Sequence, residues 1–136
     1  MTFIIWTDEM SVGVELFDLE HKRLFHTINT LYDAMLAGSP ELIMGEVLDE
    51  MVSYTNFHFC HEEKFFEDSQ YPLAAEHTIE HEELRKRIFE FRNDKQREHP
   101  MFLALDVLQF LKEWLERHIL QEDMKYARFL RQKGVN

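Results

Sequence analysis

Residues that interrupt regular structure are scarce here: four glycines and three prolines in 136 residues. With a single cysteine, Cys60, no intramolecular disulfide can form, so a stapled secreted scaffold is excluded and a reducing cytoplasm is the expected compartment. No run approaches the roughly 20 apolar residues of a membrane span. The stretch from Met1 to Met10 has neither a basic start nor a long apolar core, and predicts no secretory leader. Positive charge is also in short supply, with 15 Lys and Arg against 26 Asp and Glu and a formal net charge of −11. That balance repels phosphate backbones and anionic lipid, which excludes nucleic acid and membrane insertion as functions.

What remains is 45% apolar, enough for one sizeable core, and one domain over 1–136 is expected. Pro40, Pro72 and Pro100 each suit a first helical turn, where a missing N–H costs nothing. Ser39 is a candidate N-cap and Gly38 a candidate helix terminator. The spacing predicts helices over about 19–37, 40–68, 72–97 and 101–132. Each carries apolar steps of three and four: Leu24, Phe25, Ile28, Leu31, Tyr32 and Met35 in the first; Met44, Val47, Leu48, Met51 and Tyr54 in the second; Leu84, Ile88 and Phe91 in the third; Val107, Phe110, Leu111, Trp114 and Leu115 in the fourth. Residues 1–17 show no such period and are expected to form an extended arm, with Phe3, Ile4, Ile5 and Trp6 packing on the helices. Short connections favour antiparallel neighbours, hence an all-α, up-down-up-down four-helix bundle.

Within the apolar stripes lie polar interruptions: His21; His58 with Glu62; His77 with His81; His118 with Asp123. Residues four apart share a helical face, so His58 and Glu62, and His77 and His81, can each aim two donors inward. The five-residue step from His118 to Asp123 turns farther around but still permits both to reach the axis. In an up-down-up-down bundle all four places fall at the same end, so the seven side chains can converge. Buried polar groups need partners, and five imidazoles with two carboxylates have the chemistry and size to hold two transition-metal ions. Singly, each histidine is better read as an ordinary surface or core residue. His26, His61 and His99 lie off these faces and are expected to be spectators. Cys60, two past His58, is expected to be a small buried or interhelical filler.

The segments Glu20-His21-Lys22, Tyr54 through His58-Phe59 to Glu62-Glu63, Tyr71-Pro72 through His77 to His81, and Trp114-Leu115 through His118-Ile119 to Asp123 and Tyr126 resemble the hemerythrin family, most closely its bacterial branch. That family includes myohemerythrin, one of the known bundles of this topology, so the resemblance and the topology are not independent. The resemblance implies reversible dioxygen binding at a non-haem di-iron centre with a bridging oxo or hydroxo group. His77, His81 and His118 would bind one iron, His21 and His58 the other, and Glu62 and Asp123 would bridge. Of roughly twelve octahedral positions, five imidazoles, two bridging carboxylates and one bridging oxygen leave one open, on the two-histidine iron. There dioxygen would be held as hydroperoxide. Family pocket positions match Leu24, Phe59, Trp114, Leu115 and Ile119, all apolar or aromatic, which suits holding oxygen better than activating it. The implied protein is therefore a binding protein (carrier, store or delivery) and not an enzyme, expected as a monomer, with an oxygen-consuming enzyme as a candidate partner.

Alternatives stay open at this stage. The same site would serve a di-iron oxygen or redox sensor, or an enzyme handling peroxide or nitric oxide. A ferritin-like oxidase would be richer in carboxylates, and a structural zinc site needs only four ligands. Two departures from the family are visible: Glu20 stands where many relatives have Gln, and the stretch from His81 to His118 is longer than in the invertebrate oxygen carriers.

Overall fold

The computed structural model describes residues 3–93 and 99–134. Helices α1 (Glu15–Leu36), α2 (Met44–Ser69), α3 (Ala74–Arg92) and α4 (Pro100–Arg117) form a four-helix bundle, with α4 prolonged through a π-helical turn, His118–Asp123, into α5 (Met124–Gln132). The backbone stays right-handed helical at Arg117, His118, Asp123 and Met124, so α4, the π turn and α5 are one continuous rod. Around the bundle α1 packs on α2 and α4, and α3 packs on the same two. Among the described residues there is no strand, and no helix is long and apolar enough to cross a membrane.

Several helix ends differ from the spacing. α1 starts at Glu15, earlier than its apolar stripe suggests, because Asp18 reaches back to accept hydrogen bonds from the Val12 N–H (2.9 Å) and the Ser11 hydroxyl. The arm expected over 1–17 therefore ends sooner, and it contains a 3-10 turn at Asp8–Met10. α1 stops as expected at Gly38, whose φ of 79° closes the turn with bonds from Gly38 N–H to Met35 and from Ser39 N–H to Ala34. Ser39 makes no side-chain cap; Pro40–Leu42 form a 3-10 turn, and Ile43 at φ −124° separates it from α2. α2 ends on the same motif as α1 but with Gln70 at φ 58°, a conformation the sequence would assign to glycine or asparagine. Pro72 lies in the turn before α3 rather than inside it. The expected continuation of that helix to 97 runs into positions outside the described residues.

The arm is tied to α1 by Asn29, which accepts from the N–H groups of Phe3 (2.9 Å) and Ile4 (3.0 Å) and donates to the Ile4 carbonyl (2.9 Å). Ile4 is buried and Phe3 and Trp6 pack against the larger apolar cluster, while Ile5 is 61% exposed, so three of the four expected packing residues face inward. Asn29→Ala is expected to cost about 2 kcal/mol through these lost bonds, read as a lower urea midpoint with an unchanged slope.

Two apolar clusters fill the interior. The larger runs through Leu24, Phe25, Ile28, Met51, Phe59, Ile88, Leu111, Trp114 and Ile119. The smaller gathers Val12, Phe17, Phe66, Tyr71, Tyr126, Ala127 and Leu130. His58 touches both, with its ring 5.8 Å from Phe59 and 5.9 Å from Phe17. A layer of buried polar side chains thus separates two apolar clusters.

Candidate metal centre

All seven singled-out side chains meet in that layer. His21, His58, His77, His81, His118, Glu62 and Asp123 are each at most 2% exposed. The histidine Nε2 atoms face the two carboxylates. Asp123 Oδ1 lies 2.9 Å from His77 and 3.3 Å from His118, and its Oδ2 lies 3.3 Å from His21. Glu62 Oε1 lies 3.2 Å from His58 and 3.3 Å from His81. Three overlapping groups of donors follow, His77 with His81 and His118, His21 with His58 and Glu62, and Glu62 with His77 and Asp123, each with donor atoms within 4.8 Å of one another. Both carboxylates link the first two groups, since each faces histidines of both.

The π turn explains the five-residue step. An α-helix would bring His118 and Glu122 onto one face; widening the turn by one residue puts His118 and Asp123 there instead.

Three further acids hold the outer ring nitrogens. His58 Nδ1 bonds Glu20 at 2.9 Å, His81 Nδ1 bonds Glu63 at 2.7 Å, and His118 Nδ1 bonds Glu80 at 3.1 Å. Each acid reaches the ring of the next helix: from α1 to α2, from α2 to α3, and from α3 to the π turn. With Nδ1 engaged as donor, Nε2 is left as the atom that takes a proton or a metal. Glu63 and Glu80 escaped the sequence reading, and the available signal was an acid adjacent to a ligand candidate. Glu20 is buried and shared: its other oxygen accepts from His61 Nδ1 at 2.8 Å. His61 thus stays off the cluster, as expected, yet is no bystander. Cys60 is exposed, contrary to the expected buried filler, because two helical steps past His58 turn it away from the axis.

Electrostatics follow the geometry. Burial disfavours a charged His58, but Glu62 and the hydrogen bond to Glu20 overcome it and push its pKa up to about 10. His118 rises to about 10 the same way, burial being outweighed by Asp123 and Glu80. His21, buried and next to the charged His58, drops to about 4. Glu62 and Asp123 stay below the usual carboxylate range because the surrounding imidazoles outweigh burial. Burial likewise opposes the Glu20 charge, and its two imidazole partners overcome it.

The donor set fits a metal centre on its own terms. Among the described residues, the buried side-chain atoms without a hydrogen-bond partner are His21 Nδ1, both His77 nitrogens, Nε2 of His58, His81 and His118, both oxygens of Glu62 and of Asp123, Trp114 Nε1 and the Tyr126 hydroxyl. All but the last two belong to the seven. Apart from the outer Nδ1 atoms of His21 and His77, these ligand-type atoms crowd one centre without hydrogen bonds, and buried polar atoms left so cost on the order of 1–3 kcal/mol each, which implies a ligand that satisfies them together. Rings hold the histidines in place: Phe59 stacks on His81 (3.7 Å, 6°), Trp114 on His118 (4.4 Å, 15°), and Phe66 meets His77 edge-on (4.7 Å). Leu24, Phe59, Trp114, Leu115 and Ile119 are all buried and belong to the larger cluster, on one side of the layer.

Comparison with known proteins bears on the same residues. The family model described as the Hemerythrin HHE cation binding domain matches residues 12–130. A bacteriohemerythrin of Stenotrophomonas maltophilia is 33% identical over 127 residues, covering 93% of this chain and 81% of that protein. One from Pseudomonas paraeruginosa is 34% identical over the same shares, and one from Clostridium acetobutylicum is 28% identical over 90% and 97%. The crystal structure of a leucine-to-phenylalanine mutant superposes with a TM-score of 0.83 at 27% identity, over 96% of this chain and 98% of that one.

Proposed function

This chain belongs to the hemerythrin family, a family of non-haem iron proteins that bind dioxygen, and from that premise we propose that it binds dioxygen reversibly at a pair of irons, as a carrier or store. The observation that carries the proposal is the convergence of buried, unpartnered donor atoms into two groups spanned by two carboxylates. His77, His81 and His118 would hold one iron and His21 and His58 the other, with Glu62 and Asp123 spanning them. Bound iron would supply reversible redox chemistry there.

The remaining work falls to the protein. Glu20, Glu63 and Glu80 orient three imidazoles so that Nε2 points at the centre. Glu62 and Asp123 supply negative charge where cations must sit, in a layer without solvent exposure. Leu24, Phe59, Trp114, Leu115 and Ile119 wall the layer on one side and keep water from it, which is what a carrier needs to release oxygen unchanged. No acidic or basic group stands among those five, so the wall offers no proton donor, and this favours binding over turnover. Dioxygen is the proposed ligand, an oxygen-consuming enzyme its proposed recipient, and a monomer in the cytoplasm the proposed working form.

The test is an iron count on purified protein followed by visible spectra through cycles of oxygen and vacuum. Two irons per chain and an absorption band that comes and goes with oxygen are expected; zinc in place of iron, or a band lost after one cycle, would overturn the reading. Ile119 is fully buried, so Ile119→Asn places an amide in the wall and is expected to speed loss of the oxygenated spectrum several-fold while leaving iron content unchanged.

A further inference from the structure

Arg85, on α3 one turn past His81, is set apart from the other paired arginines by its depth: its side chain is 23% exposed, against 59% for Arg23, 42% for Arg87 and 49% for Arg92. Its guanidinium donates through Nε to Asn56 on α2 at 2.9 Å and pairs with Glu82 on its own helix. Two further contacts both end on His81. Arg85 lies 3.6 Å from Glu63 Oε2, the same oxygen that accepts from His81 Nδ1 at 2.7 Å. Its guanidinium carbon also sits 5.0 Å from the centre of the Phe59 ring, which is stacked on the His81 imidazole at 3.7 Å.

We propose that Arg85 is a positioning residue for His81: it shares the Glu63 oxygen that grips Nδ1–H and holds Phe59 flat on the ring, limiting how strongly Nε2 donates to a metal. The inference rests on the reading of His81 as an iron ligand. A carboxylate that accepts strongly from Nδ1–H makes the imidazole more basic and a better donor. Stronger donation favours ferric over ferrous iron. A guanidinium against the accepting oxygen draws away part of that charge, so Arg85 biases the centre toward the ferrous form that takes up oxygen. Arginine suits the place because its planar fork can meet an amide, two carboxylates and a ring face together, which a lysine ammonium cannot.

Arg85→Gln removes the charge. In the metal-free chain the His81 Nδ1 proton, followed by NMR, is expected to move downfield as Glu63 accepts more strongly. In the iron-loaded chain the midpoint potential is expected to fall and autoxidation to quicken about threefold, the scale of a partly exposed ion pair. Glu63→Gln is expected to act in the opposite direction, and in that background Arg85→Gln is expected to change neither readout. Arg85→Lys, which keeps the charge, is expected to restore most of the proton shift. Should Arg85→Gln fail to fold, Arg85→Met, which keeps the apolar stem and removes the charge, makes the same test with and without Glu63→Gln. An unmoved His81 proton and potential in a chain that holds two irons would overturn the inference, as would an equal shift with Glu63 replaced. A wild-type chain that takes up no iron defeats the metal reading instead, while the proton shift in the metal-free chain still decides whether Arg85 acts on His81 through Glu63.

Discussion

Asp123→Ala is expected to empty both proposed metal positions at once, not one. Asp123 is the residue whose two oxygens divide between the histidine groups, Oδ2 toward His21 and Oδ1 toward His77 and His118, so its loss removes negative charge and a donor from each. The metal-free fold should suffer too. His118 is held charged in large part by Asp123, and stripping one partner from a buried pair costs about 3–5 kcal/mol. Any stabilisation by bound metal, about 2.7 kcal/mol at a hundred times the dissociation constant, disappears as well. Asp123→Asn keeps the volume and one acceptor, so it should retain more of the fold while still failing to hold two irons. His21→Ala is the contrasting variant: it leaves His77, His81 and His118 intact, and one iron should be retained in preference to the other. Metal analysis and thermal melts on the three variants decide the matter. Equal iron content in Asp123→Ala and wild type would show that Asp123 does not span the centre.

Much of this arrangement could be read from spacing. The steps between His58 and Glu62 and between His77 and His81, and the placing of all seven residues at one level along the bundle, follow from helical periodicity and short connections alone. The acids behind the histidines could not. Glu20 and Glu80 sit next to His21 and His81 in the chain, yet an adjacent residue is turned about 100° around the helix. They consequently grip His58 and His118, each 38 positions away, on a neighbouring helix. Spacing within one helix carries no record of what the next helix presents. Helix ends were blurred for a related reason. The early start of α1 depends on Asp18 reaching back to Ser11 and Val12, and Phe17 belongs to the smaller cluster, outside the stripe that marks the rest of the helix. Gln70 closes α2 in a left-handed conformation that nothing in its side chain announces.

The π turn was equally hidden, and it makes the second large effect. Gln121 is exposed and lies inside the turn, so its side chain should matter little: Gln121→Ala is expected to change stability by no more than about 0.5 kcal/mol. Inserting an alanine after Gln121 is another matter. The π turn already takes up one residue beyond the α-helical count, so a second rotates everything beyond it by about 100° and displaces it by about 1.5 Å along the axis. The Asp123 carboxyl then swings off the bundle axis while His118 stays, and the donors no longer converge. The same rotation carries Tyr126, Ala127 and Leu130, all buried in the smaller cluster, away from Phe17, Phe66 and Tyr71. Exposing a tyrosine and a leucine forfeits about 3–5 kcal/mol, so the melting temperature should fall even in metal-free protein. Helix content should barely change, since the rod remains helical throughout. Circular dichroism, a melt and an iron count on the insertion beside Gln121→Ala separate length from side chain. An insertion that keeps two irons and the wild-type melt would mean that the length of the turn does not set the register between His118 and Asp123.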